Sequence, residues 1–221
     1  MPDELSRIAH LFLSSADSPA GRMTVRALLV EHLPDAPAAS KRIASHFARQ
    51  LGSAALLGFE NGSASLRLFS TAQTPAKRRS GRSSLSDVKD LSRAVSDLPK
   101  CTSMLLVALQ PDSALLAQCP EISVVVCPES KIVVDAYSQL KRHAGTRAGD
   151  LGLTVVDCLS VAQGRSLAER LCQAAKEFLG LILRLDAVVL RNSRLRERKL
   201  AQTATIDQAM LARSIDSLLR T

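Results

Sequence analysis

The residues able to do chemistry gather in the turns that follow apolar runs, and the most informative turn is His32-Leu33-Pro34-Asp35-Ala36-Pro37-Ala38-Ala39-Ser40-Lys41. A turn between a strand and a helix holds phosphate when glycines let successive N–H groups converge on the oxygens and a lysine adds charge. This turn has no glycine, Pro34 and Pro37 each remove a donor, and Asp35 repels an anion. Ser40 and Lys41 have suitable types, but they fall inside a helix predicted from Ala38. No nucleophile elbow, dinucleotide fingerprint, zinc-protease helix or paired Cys/His spacing occurs. His10, His32, His46 and His143 are scattered and read as surface or helix-end residues. Glu129, Asp135 and Asp157 fall near predicted strand ends, where solvated loop acids and helix caps explain them as well as catalysis does. The five cysteines (Cys101, Cys119, Cys127, Cys158, Cys172) are odd in number, lack a C-x-x-C pair and sit mainly in apolar runs. Buried thiols are expected, with no disulfide, metal or cofactor.

The elements that would position these residues alternate along the chain. Glu121 to His143 reads as a buried strand (Ile122, Val124, Val125, Val126) ended by Pro128, then a helix capped by Ser130 with Ile132, Val133, Ala136, Tyr137 and Leu140 inward. Further strands are predicted at Thr24 to Leu33, Ser53 to Phe59, Met104 to Leu109, Leu151 to Val156 and Leu181 to Leu190, with Ala64 to Phe69 as a short extension past an Asn61-Gly62 turn. Helices are predicted at Ala38 to Leu51 (inner Ile43, Ala44, Phe47, Leu51; closed by Gly52), Leu85 to Leu98, Ser113 to Gln118, Val161 to Leu179 (inner Leu167, Leu171, Ala174, Ala175, Phe178) and Ile206 to Leu219 (inner Met210, Leu211, Ile215, Leu218, Leu219). The alternation specifies an α/β fold with a doubly wound, mostly parallel sheet between two helical layers. Residues 19–221 read as one domain and residues 1–18 as a helical arm with Leu5, Ile8, Leu11 and Phe12 on one side.

Of 221 residues 46% are hydrophobic, enough for one substantial core, and no apolar run approaches the roughly 20 residues of a membrane span. No secretory signal is evident, so the cytoplasm is expected. The formal charge of +8 is uneven: residues 71–100 and 191–221 each hold seven Lys/Arg against three Asp/Glu, while the remainder balances at fifteen of each. Thr71 to Ser84, with Lys77, Arg78, Arg79 and Arg82, reads as a flexible basic loop, and the excess suits an acidic protein, nucleic acid or anionic lipid, or a solvated face.

The stretch Val124 to Arg142, VVVCPESKIVVDAYSQLKR, resembles the segment of MinD/ParA-type ATPases in which a strand ends in a proline-acid turn and a helix begins with D-A-Y. Leu151 to Leu183, LGLTVVDCLSVAQGRSLAERLCQAAKEFLGLIL, is similar to the corresponding stretch of the flagellar-number-regulator branch. Weaker similarity runs through Val25 to Phe69 and Ser103 to Leu109, in order of elements more than in motif residues. The resemblance implies a P-loop NTPase-like fold, and it places the family's nucleotide site on degenerate positions. The glycine- and lysine-rich loop falls on Leu33 to Ser40, near Pro37, Ser40 and Lys41. The magnesium-holding aspartate falls on Ala108, the switch after the second strand on Phe59-Glu60-Asn61-Gly62, and the asparagine after the fifth strand on Asp157.

These losses predict a protein that is not an enzyme, a pseudo-ATPase working through a protein partner or as a homodimer. By resemblance, its process is placement or number control of flagella or another polar machine. Partner contacts are assigned to Leu5, Ile8, Leu11 and Phe12, whose stripe otherwise docks on its own domain, and to the basic loop. Two rivals stand beside this reading. One is an active nucleotide-binding ATPase with a rebuilt site using Lys41 or the basic loop. The other is nucleic-acid binding through Lys77 to Arg82 and Arg191 to Lys199, disfavoured for single strands by one Tyr, five Phe and no Trp.

Overall fold

The computed structural model describes residues 23–60, 63–71, 98, 102–109, 116, 119–144, 151–191 and 197–203. The predicted arm at 1–18, the Asn61-Gly62 turn, nearly all of the 71–84 loop, and the helices at 85–98, 113–118 and 206–219 lie outside these residues, apart from Thr71, Leu98 and Leu116.

Eight strands form one sheet: β1 (Thr24–Leu29), β2 (Ser53–Glu60), β3 (Ser63–Ser70), β4 (Met104–Leu109), β5 (Glu121–Val126), β6 (Leu151–Cys158), β7 (Arg184–Leu190) and β8 (Glu197–Thr203), in the order β7-β6-β5-β1-β4-β2-β3-β8. From β7 to β2 all neighbours are parallel, while β3 is antiparallel to both β2 and β8. The predicted extension at 64–69 is thus a full strand, and β8 was not anticipated. β1 stops at Leu29, short of the predicted Leu33, because the chain turns immediately: Leu33 N–H donates to Val30 O at 2.9 Å.

Three described helices connect the parallel strands: α1 (Ala36–Leu51), α2 (Ser130–Ala144) and α3 (Val161–Leu179). α1 begins two residues before the predicted Ala38, since Asp35 caps it by accepting from Ala38 N–H at 3.2 Å. It ends at Gly52, whose φ of 87° suits a residue without a Cβ. α2 takes Ser130 as its first residue rather than its cap. Ser160 caps α3 by accepting from Gln163 N–H, and the Gln163 side chain accepts from Leu159 N–H in return.

The helices cover both faces of the sheet. Arg26 of β1 lies under the Phe47 ring of α1, its Cζ 5.2 Å from the ring centroid, which puts α1 on the Arg26 face. α3 meets the other face, with Gly164 against Val188, the β7 partner of Val155. α2 lies beside α3. The fold is a doubly wound, mostly parallel α/β sheet. Its core is the middle strands, where Ala27, Leu28, Leu29, Leu105, Val107, Val124 and Val155 are fully buried. Two inner-face expectations and one surface expectation are corrected. Leu51 and Phe178 are 40% and 75% exposed, because each ends a helix that overhangs the sheet, and His143 is buried because it continues the stripe Ile132, Ala136, Leu140.

Candidate functional site at the carboxyl edge of the sheet

β1 hands its chain across β4 to β2, whereas its neighbour β5 hands the chain the other way, to β6. Connections that part in this manner open a crevice beyond the strand carboxyl ends, the usual ligand position of such a sheet. The residues brought there are His32 after β1, Cys127 after β5, Asp157 near the end of β6, and Arg42 from α1.

The N-terminus of α1, which would receive an anion, is already engaged. The Asp35 carboxylate caps it and Pro37 occupies its second position. The Ser40 hydroxyl donates back to Ala36 O at 2.8 Å within the same helix, and Ser40 is buried. Lys41 sits one position further along α1. Ala108 pairs with Leu28 near the end of β4, so the place assigned to a magnesium-holding carboxylate carries a methyl group.

Deeper in the crevice Arg42 Nη2 lies 2.8 Å from Asp157 Oδ2, with side chains only 10% and 26% exposed. Asp157 is therefore neither a solvated loop acid nor a helix cap, two of the readings that its sequence position left open. Among the described residues it is also the non-glycine residue found at positive φ, 59°, a conformation that a short polar side chain tolerates better than most. His32 Nε2 lies 2.5 Å from the Val125 carbonyl. A carbonyl can only accept, so Nε2 carries the proton and Nδ1 is the acceptor. Burial pushes the His32 pKa below the ordinary value, opposed by the Val125 carbonyl, Asp135 and Glu31, so the ring is neutral at pH 7. Among the described residues, His32 Nδ1, Arg42 Nε and Asp157 Oδ1 are buried without a hydrogen-bond partner.

The thiols are poor nucleophiles. Burial, then Asp157 and Cys127, push Cys158 up to about 11, and burial with Glu129 raises Cys127. Cys119, Cys127 and Cys158 are buried, as expected, and Cys172 is half-buried; Cys101 lies outside the described residues. Among the described residues no three potential ligands gather to hold a metal ion. Glu129 is exposed in the β5–α2 turn, where it and Asp157 both act electrostatically on Cys127, and Asp135 is half-buried on α2, where it acts on His32.

A second charged cluster, missed in the sequence, lies at the amino ends of β1, β5 and β7. Arg26 Nη2 meets Glu121 Oε2 at 2.6 Å and its Nη1 lies 3.5 Å from Asp186 Oδ1. Arg184 bridges the same two carboxylates at 3.2 and 2.6 Å. Gly152 makes room for Asp186: a Cβ there would stand 2.0 Å from Asp186 Oδ2. Arg42 and Arg26 could have been found only as charges inside apolar runs, since their partners are 115 and 95 residues away.

The partner residues assigned from sequence, Leu5, Ile8, Leu11, Phe12, Lys77, Arg78, Arg79 and Arg82, lie outside the described residues. Of the other basic segment, Glu197 to Lys199 belong to β8, with main chain paired to β3. No described helix is long and apolar enough to cross a membrane.

No protein-family profile matches the chain. No curated protein matches it. Among solved structures it is similar to a ParA family ATPase from Chlorobium tepidum TLS at 11% identity, over 91% of this chain and 92% of that one, with a TM-score of 0.41.

Proposed function

We propose that this chain is a MinD/ParA-like domain that has given up ATP hydrolysis and works by protein contacts, in placement or number control of flagella or another polar machine. The family assignment rests on the proline-acid turn after β5 with the D-A-Y that follows inside α2, and on the G-R to F-L-G stretch of α3. The loss of activity is supported by one observation above the rest. The groups that would bind phosphate already face carboxylates of the protein, the α1 N-terminus that of Asp35 and Arg42 Nη2 that of Asp157. An incoming triphosphate would have to displace one carboxylate and compete with the other, and Ala108 offers no ligand for its magnesium.

Titration with magnesium-ATP, read as a melting midpoint, tests this. A ligand at 100 times its dissociation constant stabilises a fold by about 2.7 kcal/mol, several degrees in a chain of this size. Millimolar nucleotide should leave the midpoint unmoved. A reproducible rise of several degrees would establish the rival, a rebuilt nucleotide site.

A further inference from the structure

β3 is a strand that requires a neighbour on its outer side. Its Leu66 and Phe69 are fully buried, and an unpaired edge beside them would present a row of free N–H and C=O groups. β8 supplies the pairing, from Ala64 opposite Thr203 to Phe69 opposite Glu197, with one register shift between Leu66 and Arg67.

The chain available to reach that edge is short. Arg191, just past β7, is tied to the carboxyl end of β6 by its N–H on Cys158 O. Glu197 opens β8 opposite Phe69, which in turn faces Ala54 at the start of β2, so β8 begins at the amino end of the sheet. The chain from Arg191 to Glu197 can reach at most about 22 Å. β7 and β8 stand at opposite ends of the strand order, about 33 Å apart measured along the sheet, and the link must also pass from one end of the strands to the other. Twist rotates the edge strands against one another without shortening that spacing. Both faces are covered besides, one by α1, which reaches from β2 and β3 to β6 and β7, and the other by α3.

Closing β8 onto the β3 of its own chain therefore takes a strongly curled sheet and a link drawn out near its limit. A short hinge of this kind invites a terminal element to exchange between copies. We propose that β8 is exchanged between two copies of this chain, each lending residues 197–203 to the β3 edge of the other in an isologous dimer. Every backbone pair of the ladder is kept, and the link passes between subunits instead of around its own sheet. The exchange is independent of the nucleotide reading, since it uses neither the crevice nor the α1 N-terminus.

Mass in solution and a link between chains test the exchange. The full chain at micromolar concentration should sediment at twice the mass of one copy. Inserting about ten Gly/Ser residues after Ser193 should return it to a monomer with residues 63–70 still protected from hydrogen exchange, because the longer link can close on its own sheet. One chain carrying Ser65→Cys, co-expressed with another carrying Gln202→Cys, should form a disulfide between the two chains under mild oxidation, since these positions face each other in the ladder; neither variant alone should do so. A parent chain that sediments as a monomer would overturn the proposal. So would a dimer unchanged by the longer link, or co-expressed chains that fail to join, either of which would place the contact on another surface.

Discussion

Replacing Asp157 by asparagine isolates the charge in the crevice. Asparagine keeps the shape of the side chain and tolerates the positive φ of 59°, so the ion pair with Arg42 is lost without added backbone strain. Removing one partner of a buried pair costs about 3–5 kcal/mol because the other charge is stranded. Arg42 is 10% exposed but Asp157 is 26% exposed, so water recovers part of this and a loss of about 2–3 kcal/mol is expected. In a chain of this length that lowers the melting midpoint by roughly 5–10 °C. Urea unfolding should show the midpoint falling at constant slope, the sign of lost stability rather than altered compactness. Asp157→Ala should lose about 1–2 kcal/mol more, from the strain of placing alanine at that φ. Arg42→Met combined with Asp157→Asn should recover stability relative to Asp157→Asn alone, because no cation is then left buried. An Asp157→Asn midpoint within about 1 °C of the parent, or a double variant no better than the sum of the singles, would refute the pairing and with it the occupation of the crevice by the protein's own carboxylate.

Gly152→Ala places a methyl carbon 2.0 Å from Asp186 Oδ2 and must push that carboxylate off Arg26 and Arg184; a loss of about 3 kcal/mol in denaturant unfolding is expected, and a neutral result would mean that the cluster is not formed. Acid should weaken the fold through His32 and His46, both held below 6.5 chiefly by burial, with Arg49 adding to the effect at His46. The unfolded chain takes up these protons first, so the contribution is complete above pH 6.5 and is lost as pH falls through the lower folded values. His32→Gln should flatten the slope of stability between pH 7 and 5, and an unchanged slope would exclude His32 as a source.

Local pattern was enough where neighbours in sequence decide the structure. Met104–Leu109 and Val161–Leu179 have the expected bounds, the first a continuous apolar run and the second fixed by Ser160 and Gly180. β8 was hidden because Glu197-Arg198-Lys199 interrupts any apolar alternation, and its pairing with β3 lies more than 120 residues away in sequence. The His143 signal was present, three residues beyond Leu140 on the buried stripe, but basic residues in a last helical turn are ordinarily exposed. At the site, the missing glycines and the turn chemistry were legible. Asp35 was read as repelling an anion, yet its main task is to cap α1. The pairing of Arg42 with Asp157 depends on α1 crossing above the end of β6, which only the sheet order reveals.

That order also has a consequence for synthesis. β1 never touches the strand that follows it; its neighbours are β4 and β5, and the Arg26–Glu121 contact joins residues 95 apart. At about 5–20 residues per second, a growing chain carries the apolar segment Thr24–Leu29 for roughly 5–20 s before β5 leaves the ribosome, with both edges of the future central strand bare. The β2–β3 hairpin can close at once, but the sheet cannot assemble around β1 until more than half the chain has emerged. During that interval Thr24–Leu29 is the segment most open to capture by a chaperone or by another nascent chain.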